Sequence, residues 1–291
     1  MSRLGIFVDR RTLSSAEQLN SLIRCRDEAE AMGHGVEFIF PGDIRKIPQV
    51  DGLFIRARTD PMNVTYVASR TADFAGIPVI DDPLSIQVCS DKVHMYSRLM
   101  REGVSIPRTL FLSRREMNHT RAREVFDDLG SPLVVKEPST SFSLRVEKVQ
   151  ETGEFLRVAR RFFKMSDWIV AQEYVESAWD WRVGVLDGEF LYACKYIIPG
   201  STFKIQASVN GHIVYCGVES VPRDRVPPGV IELGVQAGRA IGQGLYGVDI
   251  KQRALGGPCV IEVNDNPSLE SGEDQAYPGV YREIVRYLLE T

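Results

Sequence analysis

Asp249, Glu262 and Asn264 lie in one run, GVDIKQRALGGPCVIEVNDNPSL, residues 247–269. Two β-rich segments, 247–253 and 258–265, flank a turn at 254–257, the pattern of a β-hairpin. A turn centred between Leu255 and Gly256 sets Asp249 opposite Glu262. Side chains alternate along a strand, so Glu262 and Asn264 share a face. Two carboxylates at that range repel unless a cation lies between them. An all-oxygen set with room for water and phosphate suits Mg²⁺, with Mn²⁺ as a substitute. A hairpin with a polar solvent face is the plainer reading, and this stretch alone supports both.

Other residues gain interest from their neighbours. Ser90 or Asp91 caps a helix, which puts Lys92 in its first turn. A cation there opposes the helix dipole, which hints at a nearby anion; a solvated lysine is the plain alternative. Lys136 ends the strand 132–137 and precedes a Ser/Thr-rich loop whose hydroxyls and N–H groups suit an anion. Gln172 and Glu173 fall at the end of WIVAQEYV, residues 168–175. Arg56 and Arg58 sit where a strand ends; surface charge is the plain reading and anion binding the sharper one. Asp265 and Asn266 either bind substrate or turn the chain at Pro267, and the turn is favoured.

Composition narrows the function classes. The net charge is −4 and no long basic run occurs, which disfavours a nucleic-acid binder. Five cysteines and four histidines are scattered, with no zinc spacing, so free thiols in a reducing compartment are expected. No Ser/His/Asp or Cys/His signature stands out. The N-terminus reads as a strand, not a signal peptide, and no apolar run approaches the ~20 residues that span a membrane. The chain is expected to be cytoplasmic, with no membrane partner.

The elements that must position these residues alternate in an α/β manner. Strands are predicted at 4–9, 36–40, 52–57 and 77–81, with helices from Ser14 or Ser15 to 32 and after Pro61 to 74. That order implies an open, largely parallel layer. It holds no GxGxxG, so it carries no dinucleotide fingerprint. Beyond it the periodicity predicts a short helix and a second helix over 83–103. Strand 108–112, helix 113–129, strand 132–137, helix 151–164 and strand 168–175 follow. A hairpin is predicted over 179–198, turning at 187–188, then a loop over 200–211 and a strand at 213–218. A helix opens at Pro227–Pro228 and runs to 243, and a last helix covers 279–289.

Taken in order, SDK (90–92), VVKEP (134–138), AQEYV (171–175), WDWRVGVLDGEFLYA (179–193), GVDI (247–250) and IEVNDNP (261–267) resemble the ATP-grasp superfamily. The likeness is greatest to RimK-like ligases of the ribosomal S6-type glutamate ligase kind, which also resemble glutathione synthetase. It covers roughly residues 75–291 by motif. It implies an α/β, ATP-grasp fold with an N-terminal open parallel α/β domain at 1–88. A central subdomain at 89–175 and a C-terminal subdomain at 176–291 with the metal site would follow. Lys92 and Lys136 then match the phosphate lysines. Glu173, Tyr174 and Val175 match the adenine hinge, and Asp180 the acidic residue near the nucleoside. Lys204 and Gln206 match positions that close on ATP, and Asp249, Glu262 and Asn264 match Mg²⁺ ligands. Arg182 is a candidate for the acyl phosphate or the substrate carboxylate, with Lys204 beside it in the catalytic set; Lys195 is weighed with them.

The resemblance implies an ADP-forming carboxylate–amine ligase that works through an acyl phosphate on small-molecule acids, amino acids or peptides, as a homo-oligomer. A non-catalytic ATP-binding module and a phosphotransferase on the same scaffold are the alternatives. One departure stands out: the loop after Lys136 reads STSFSLRV, with no glycine to ease closure. Segments 139–145 and 199–211 are the expected lids, because water would hydrolyse an acyl phosphate.

Overall fold

The computed structural model describes residues 1–140, 144–198, 206–209 and 212–290, with backbone alone for 206–209 and 212–215. The N-terminal layer contains β1 (Arg3–Phe7), α1 (Ala16–Ala31), β2 (Gly35–Ile39), β3 (Gly52–Ile55), α2 (Val64–Phe74) and β4 (Val79–Ile80). Its sheet runs β2-β1-β3-β4, parallel throughout, as the alternation predicts. Ser15 caps α1 by accepting from the Gln18 N–H. The second helix starts at Val64 and not after Pro61, because the Asn63 side chain caps it by accepting from the Thr65 N–H.

Two helices, α3 (Pro83–Cys89) and α4 (Lys92–Arg101), lead out of this layer. Asp91 is the cap of α4: its carboxylate accepts from the N–H groups of Val93 and His94. Lys92 is therefore the first helical residue. The central unit contains β5 (Thr109–Ser113), α5 (His119–Leu129), β6 (Leu133–Lys136), β7 (Val146–Val149), α6 (Thr152–Phe162) and β8 (Trp168–Glu173). Its antiparallel sheet runs β5-β8-β6-β7. Phe155, Val158 and Phe162 fill the core beneath it. The helix expected from 113 begins only at His119, where the Asn118 side chain accepts from the Arg121 N–H. Strand β7 was not predicted; VEKV has one fully buried residue and no clear alternation.

The C-terminal unit contains β9 (Trp179–Leu186), β10 (Glu189–Ile197), β11 (Gln206–Val209), β12 (His212–Tyr215), β13 (Gly217–Ser220), α7 (Pro228–Ile241), β14 (Leu245–Gln252), β15 (Pro258–Asp265) and α8 (Val280–Leu289). The large sheet is antiparallel, β13-β10-β9-β14-β15, while β11 and β12 pair separately. The β9–β10 hairpin turns at Asp187 and Gly188, both with positive φ, as a two-residue turn requires. The single strand expected at 213–218 is two, ending and restarting around Cys216.

Packing crosses these units. Met95, Tyr96 and Leu99 of α4 join Val183, Val248 and Val263 of the large sheet in one core. Helix α8 returns to the N-terminal sheet, where Ile284, Val285 and Leu288 pack with Leu4, Ile6 and Leu22. Among the described residues, no helix is long and apolar enough to cross a membrane.

Helix α7 lies close on β9 because Gly234 and Gly238 face it. A Cβ at Gly234 would stand 2.7 Å from Val183 Cγ1, and one at Gly238 2.7 Å from Val185 Cγ1. Neither glycine has a positive φ, so the requirement is space. Gly234→Leu should therefore lower stability by about 1–3 kcal/mol through overpacking, despite leucine's better helix propensity. Urea unfolding of the two chains measures this; equal midpoints would show that the contact is not tight.

Candidate active site

The hairpin of β14 and β15 sets the geometry. Asp249 lies opposite Glu262 and Gly247 opposite Asn264, as the turn position predicts. The register then shifts: Ile250 pairs with Val260, so Ile261 has no partner in the ladder. On the other side of β14, Asp249 lies opposite Arg182 of β9.

These strands form one wall of a cleft of about 720 Å³, open solvent at its mouth included. Eight of the sequence-predicted residues line it: Lys92, Lys136, Glu173, Tyr174, Val175, Asp180, Asp249 and Glu262. Val134, Val146, Ile261, Gln172 and Lys251 complete the lining. The cleft thus has apolar walls toward β6 and β7 and charge along β14 and β15.

The charges are compensated in pairs. Arg182 grips Asp249 with two bonds, Nε to Oδ1 at 2.6 Å and Nη2 to Oδ2 at 3.1 Å. Arg182 also lies over the Tyr196 ring at 4.9 Å and does not line the cleft. Its guanidinium is engaged by Asp249. Lys92 Nζ stands 3.3 Å from Glu262 and also donates to the Thr140 carbonyl. Burial alone would raise the Glu262 pKa, but Lys92 and Lys136 outweigh it and hold the carboxyl below its usual range. Asp180 is buried and pairs with Lys251 at 2.5 Å. Burial pushes its carboxyl up to about 6, against the pull of Lys251.

Lys136 differs from these cations. Among the described residues, no carboxylate lies within ion-pair distance of it. Its ammonium donates instead to Tyr96 Oη at 2.7 Å and Gln172 Oε1 at 2.8 Å. Burial lowers its pKa to about 8, although Glu262, Asp180 and Asp249 act the other way. Three carboxylates (Asp180, Asp249, Glu262) and four cations (Lys92, Lys136, Arg182, Lys251) leave one positive charge over, and it sits at Lys136.

The remaining predicted residues divide. Glu173 lines the cleft, but its carboxylate is held by Arg108 at 2.7 Å and Arg253 at 3.5 Å. Its side chain is therefore tied to the strand's outer neighbours, while Tyr174 and Val175 continue the wall. Lys195 lies over Trp179 and Trp181, with Glu219 3.6 Å away. Lys204 lies outside the described residues, as does the side chain of Gln206, the first residue of β11. Ser141, Phe142 and Ser143 of the expected lid, and most of 199–211, also lie outside them. Arg56 is not a free surface charge: it is half-buried and donates to Asn266 Oδ1, the Pro267 carbonyl and Glu270. Arg58 is exposed, 3.9 Å from Asp60. Asn266 has φ 44° and turns the chain, as favoured, with its amide bonded to the Ala57 carbonyl.

Sequence reasoning missed Lys251 and Tyr96. Lys251 carried a readable signal, since it shares the alternating face of β14 with Asp249. Tyr96 follows Lys92 by one helical turn, but nothing in the sequence reveals what its hydroxyl meets.

The metal set meets a partial test. No three His, Cys, Asp or Glu side chains converge as a metal site among the described residues. The candidate set has two carboxylates and an amide. Asn264 Nδ2 donates to the Gly247 carbonyl at 3.2 Å and to Asp249 Oδ2 at 3.1 Å. The Gly247 carbonyl can only accept, which fixes the amide's direction, with Nδ2 toward Asp249. Those oxygen donors fit a hard divalent cation.

Residues 89–268 match the family model of the ATP-grasp domain. That is more than half of the chain, and the chain belongs to the ATP-grasp family. It is similar to a probable alpha-L-glutamate ligase 1 of Shewanella denitrificans, 26% identical, with 95% of each chain covered. A probable alpha-L-glutamate ligase of Vibrio vulnificus is also 26% identical, over 95% of this chain and 93% of the relative. The fold matches the D-alanine–D-alanine ligase of Bacillus anthracis, with TM-score 0.72, 20% identity and 100% and 97% of the two chains covered. It also matches a RimK domain ATP-grasp protein of Sphaerobacter thermophilus, with TM-score 0.70, 16% identity and 99% and 100% covered. The α/β architecture and the RimK-like resemblance read from the motifs both hold.

The sign of one pH effect follows from Lys136. Its ammonium attracts a polyphosphate below its pKa and stops doing so as pH rises through about 8. Affinity for ATP should fall by up to roughly tenfold between pH 7 and pH 9, and Lys136→Met should flatten that dependence. Calorimetric titration at both pH values measures it; a slope unchanged by the substitution would assign the effect elsewhere.

Proposed function

We propose that this chain is an ATP-dependent ligase that joins a small-molecule carboxylate to an amine, an amino acid or peptide among them. Lys136 carries the reading: a buried ammonium in a cleft whose other charges are already paired calls for an anionic ligand. The relatives named above support the reaction class, being named glutamate and D-alanine ligases. A structural neighbour of the latter name was crystallised with ATP.

In this reading the triphosphate lies along β6 and β15. Lys136 and Lys92 neutralise its charge, and Lys92 exchanges part of its contact with Glu262 for phosphate. The base meets the backbone of Tyr174 and Val175, between Val134, Val146 and Ile261. Asp180, fixed by Lys251, faces the sugar. Asp249, Glu262 and Asn264 would hold Mg²⁺ or Mn²⁺, which when bound supplies charge neutralisation at the phosphates. Burial raises the Asp249 pKa on balance, while Arg182 pulls it down and fixes the carboxylate's orientation.

The substrate carboxylate attacks the γ-phosphorus, and ADP leaves with the bond electrons. The amine then attacks the acyl carbon, and inorganic phosphate departs. Neither step needs a protein nucleophile. The chain contributes position and charge, the main terms in phosphoryl transfer. Lys204 and Gln206 remain assigned to closure over ATP. The need for ATP and the five free thiols fit a cytoplasmic setting.

The chain should form ADP and a condensed product when given Mg·ATP and a pool of amino acids and small acids. Glu262→Gln or Asp249→Asn should cut ADP release by roughly a hundredfold or more. Mass spectrometry of the product separates the outcomes. A phosphorylated acceptor without condensation would mean a phosphotransferase. ATP binding with no acceptor-dependent ADP would mean a nucleotide-binding module.

A further inference from the structure

Tyr96 is fully buried on α4, one turn beyond Lys92 and on the same helix face. A buried phenol keeps its hydroxyl only where that hydroxyl finds partners. Here it finds three, one of them a long contact to Gln172 Oε1 at 3.4 Å. Tyr96 Oη donates to the Ile261 carbonyl at 2.5 Å and accepts from Lys136 Nζ at 2.7 Å. The Lys136 ammonium also lies 5.3 Å from the centroid of the Tyr96 ring.

Ile261 is the residue that the β14–β15 register skips, next to Glu262. The phenol gives the Ile261 carbonyl a hydrogen-bond partner at that skipped position. One hydroxyl therefore joins the strand carrying Glu262 to the lysine of the central sheet. The other restraint on Lys136 is Gln172 Oε1 at 2.8 Å. Gln172 is in turn oriented by donating from Nε2 to Thr109 Oγ1 at 2.8 Å. An ammonium has three N–H donors. Tyr96 and Gln172 take two and leave the third for the cleft.

We infer that Tyr96 is a positioning residue for phosphate: through Lys136, its hydroxyl fixes the ammonium relative to the Glu262 strand. The inference rests on the reading of the cleft as an ATP site. It makes Tyr96 matter to the phosphates and not to the base or sugar, whose contacts lie at Tyr174, Val175 and Asp180.

The test compares the unsubstituted chain, Tyr96→Phe, Lys136→Met and the double variant, each titrated with ATP and with adenosine. Phenylalanine keeps the ring and its packing and removes only the hydroxyl. Y96F should lose roughly tenfold in ATP affinity, the scale of a hydrogen bond to a charged group, and less than twofold in adenosine affinity. In the Lys136→Met background Y96F should cost less than twofold for ATP, because the group it acts through is gone. Equal losses for ATP and adenosine would make Tyr96 a packing residue and overturn the inference. So would losses that multiply in the double variant, or undiminished ATP binding by Y96F. Failure of the unsubstituted chain to bind ATP would overturn the nucleotide reading itself, a result distinct from any of these.

Discussion

Burial of charge on the floor of the cleft is the constraint on which the rest depends. Asp180, Arg182, Lys136, Asp249 and Lys251 are all at most 9% exposed. An unpaired ion so placed costs several kcal/mol, so each needs a counter-ion or a hydrogen-bond partner close by. The large sheet supplies such partners by pairing neighbouring strands: β9 brings Arg182 to Asp249, and Lys251 of β14 reaches Asp180 of β9. Where the ladder cannot supply a partner, helix α4 does, through Lys92 and Tyr96. The consequence is a floor whose geometry is set before any ligand arrives, with one positive charge left over among the described residues.

The same constraint explains why the units are interleaved. Helix α4 is anchored in the core of the large sheet, yet its N-terminus reaches the loop after β6, where the Lys92 N–H donates to the Pro138 carbonyl. Arg56 of the N-terminal layer reaches across to Asn266, Pro267 and Glu270, just beyond the Asn264 position. Three sheets thus meet around one hairpin. Displacement of any one would leave a buried ion or carbonyl without its partner, so the fold resists sliding of one unit against another more than apolar packing alone would require.

Much of this was legible in residue order. The parallel N-terminal layer, the β9–β10 turn at Asp187–Gly188 and the facing of Asp249 and Glu262 follow from period, turn chemistry and strand alternation, all local rules. Errors came where a cap or a weak pattern decided. Asn63 and Asn118 moved two helix starts inward by offering side-chain acceptors. Strand β7 escaped because three of its four residues are only half-buried and the pattern does not alternate. Arg56 read as surface charge because a strand end resembles an exposed one until another segment covers it.

The sequence by itself determined which chemistries could meet: two carboxylates and an amide on one hairpin, and lysines at a helix start and a strand end. Such properties are carried by residue type and short spacing, and folding does not alter them. Only the tertiary structure decided how the charges are allotted. Arg182 could equally have stood without a partner on its strand, and proximity on the next strand paired it with Asp249. Lys251 could have been a solvated strand lysine, and Asp180 drew it inward. Lys136 remained the unpaired cation because its neighbours proved to be a phenol and an amide. Ion pairing depends on distances between residues far apart in the chain, and those distances exist only once the sheets have closed on one another.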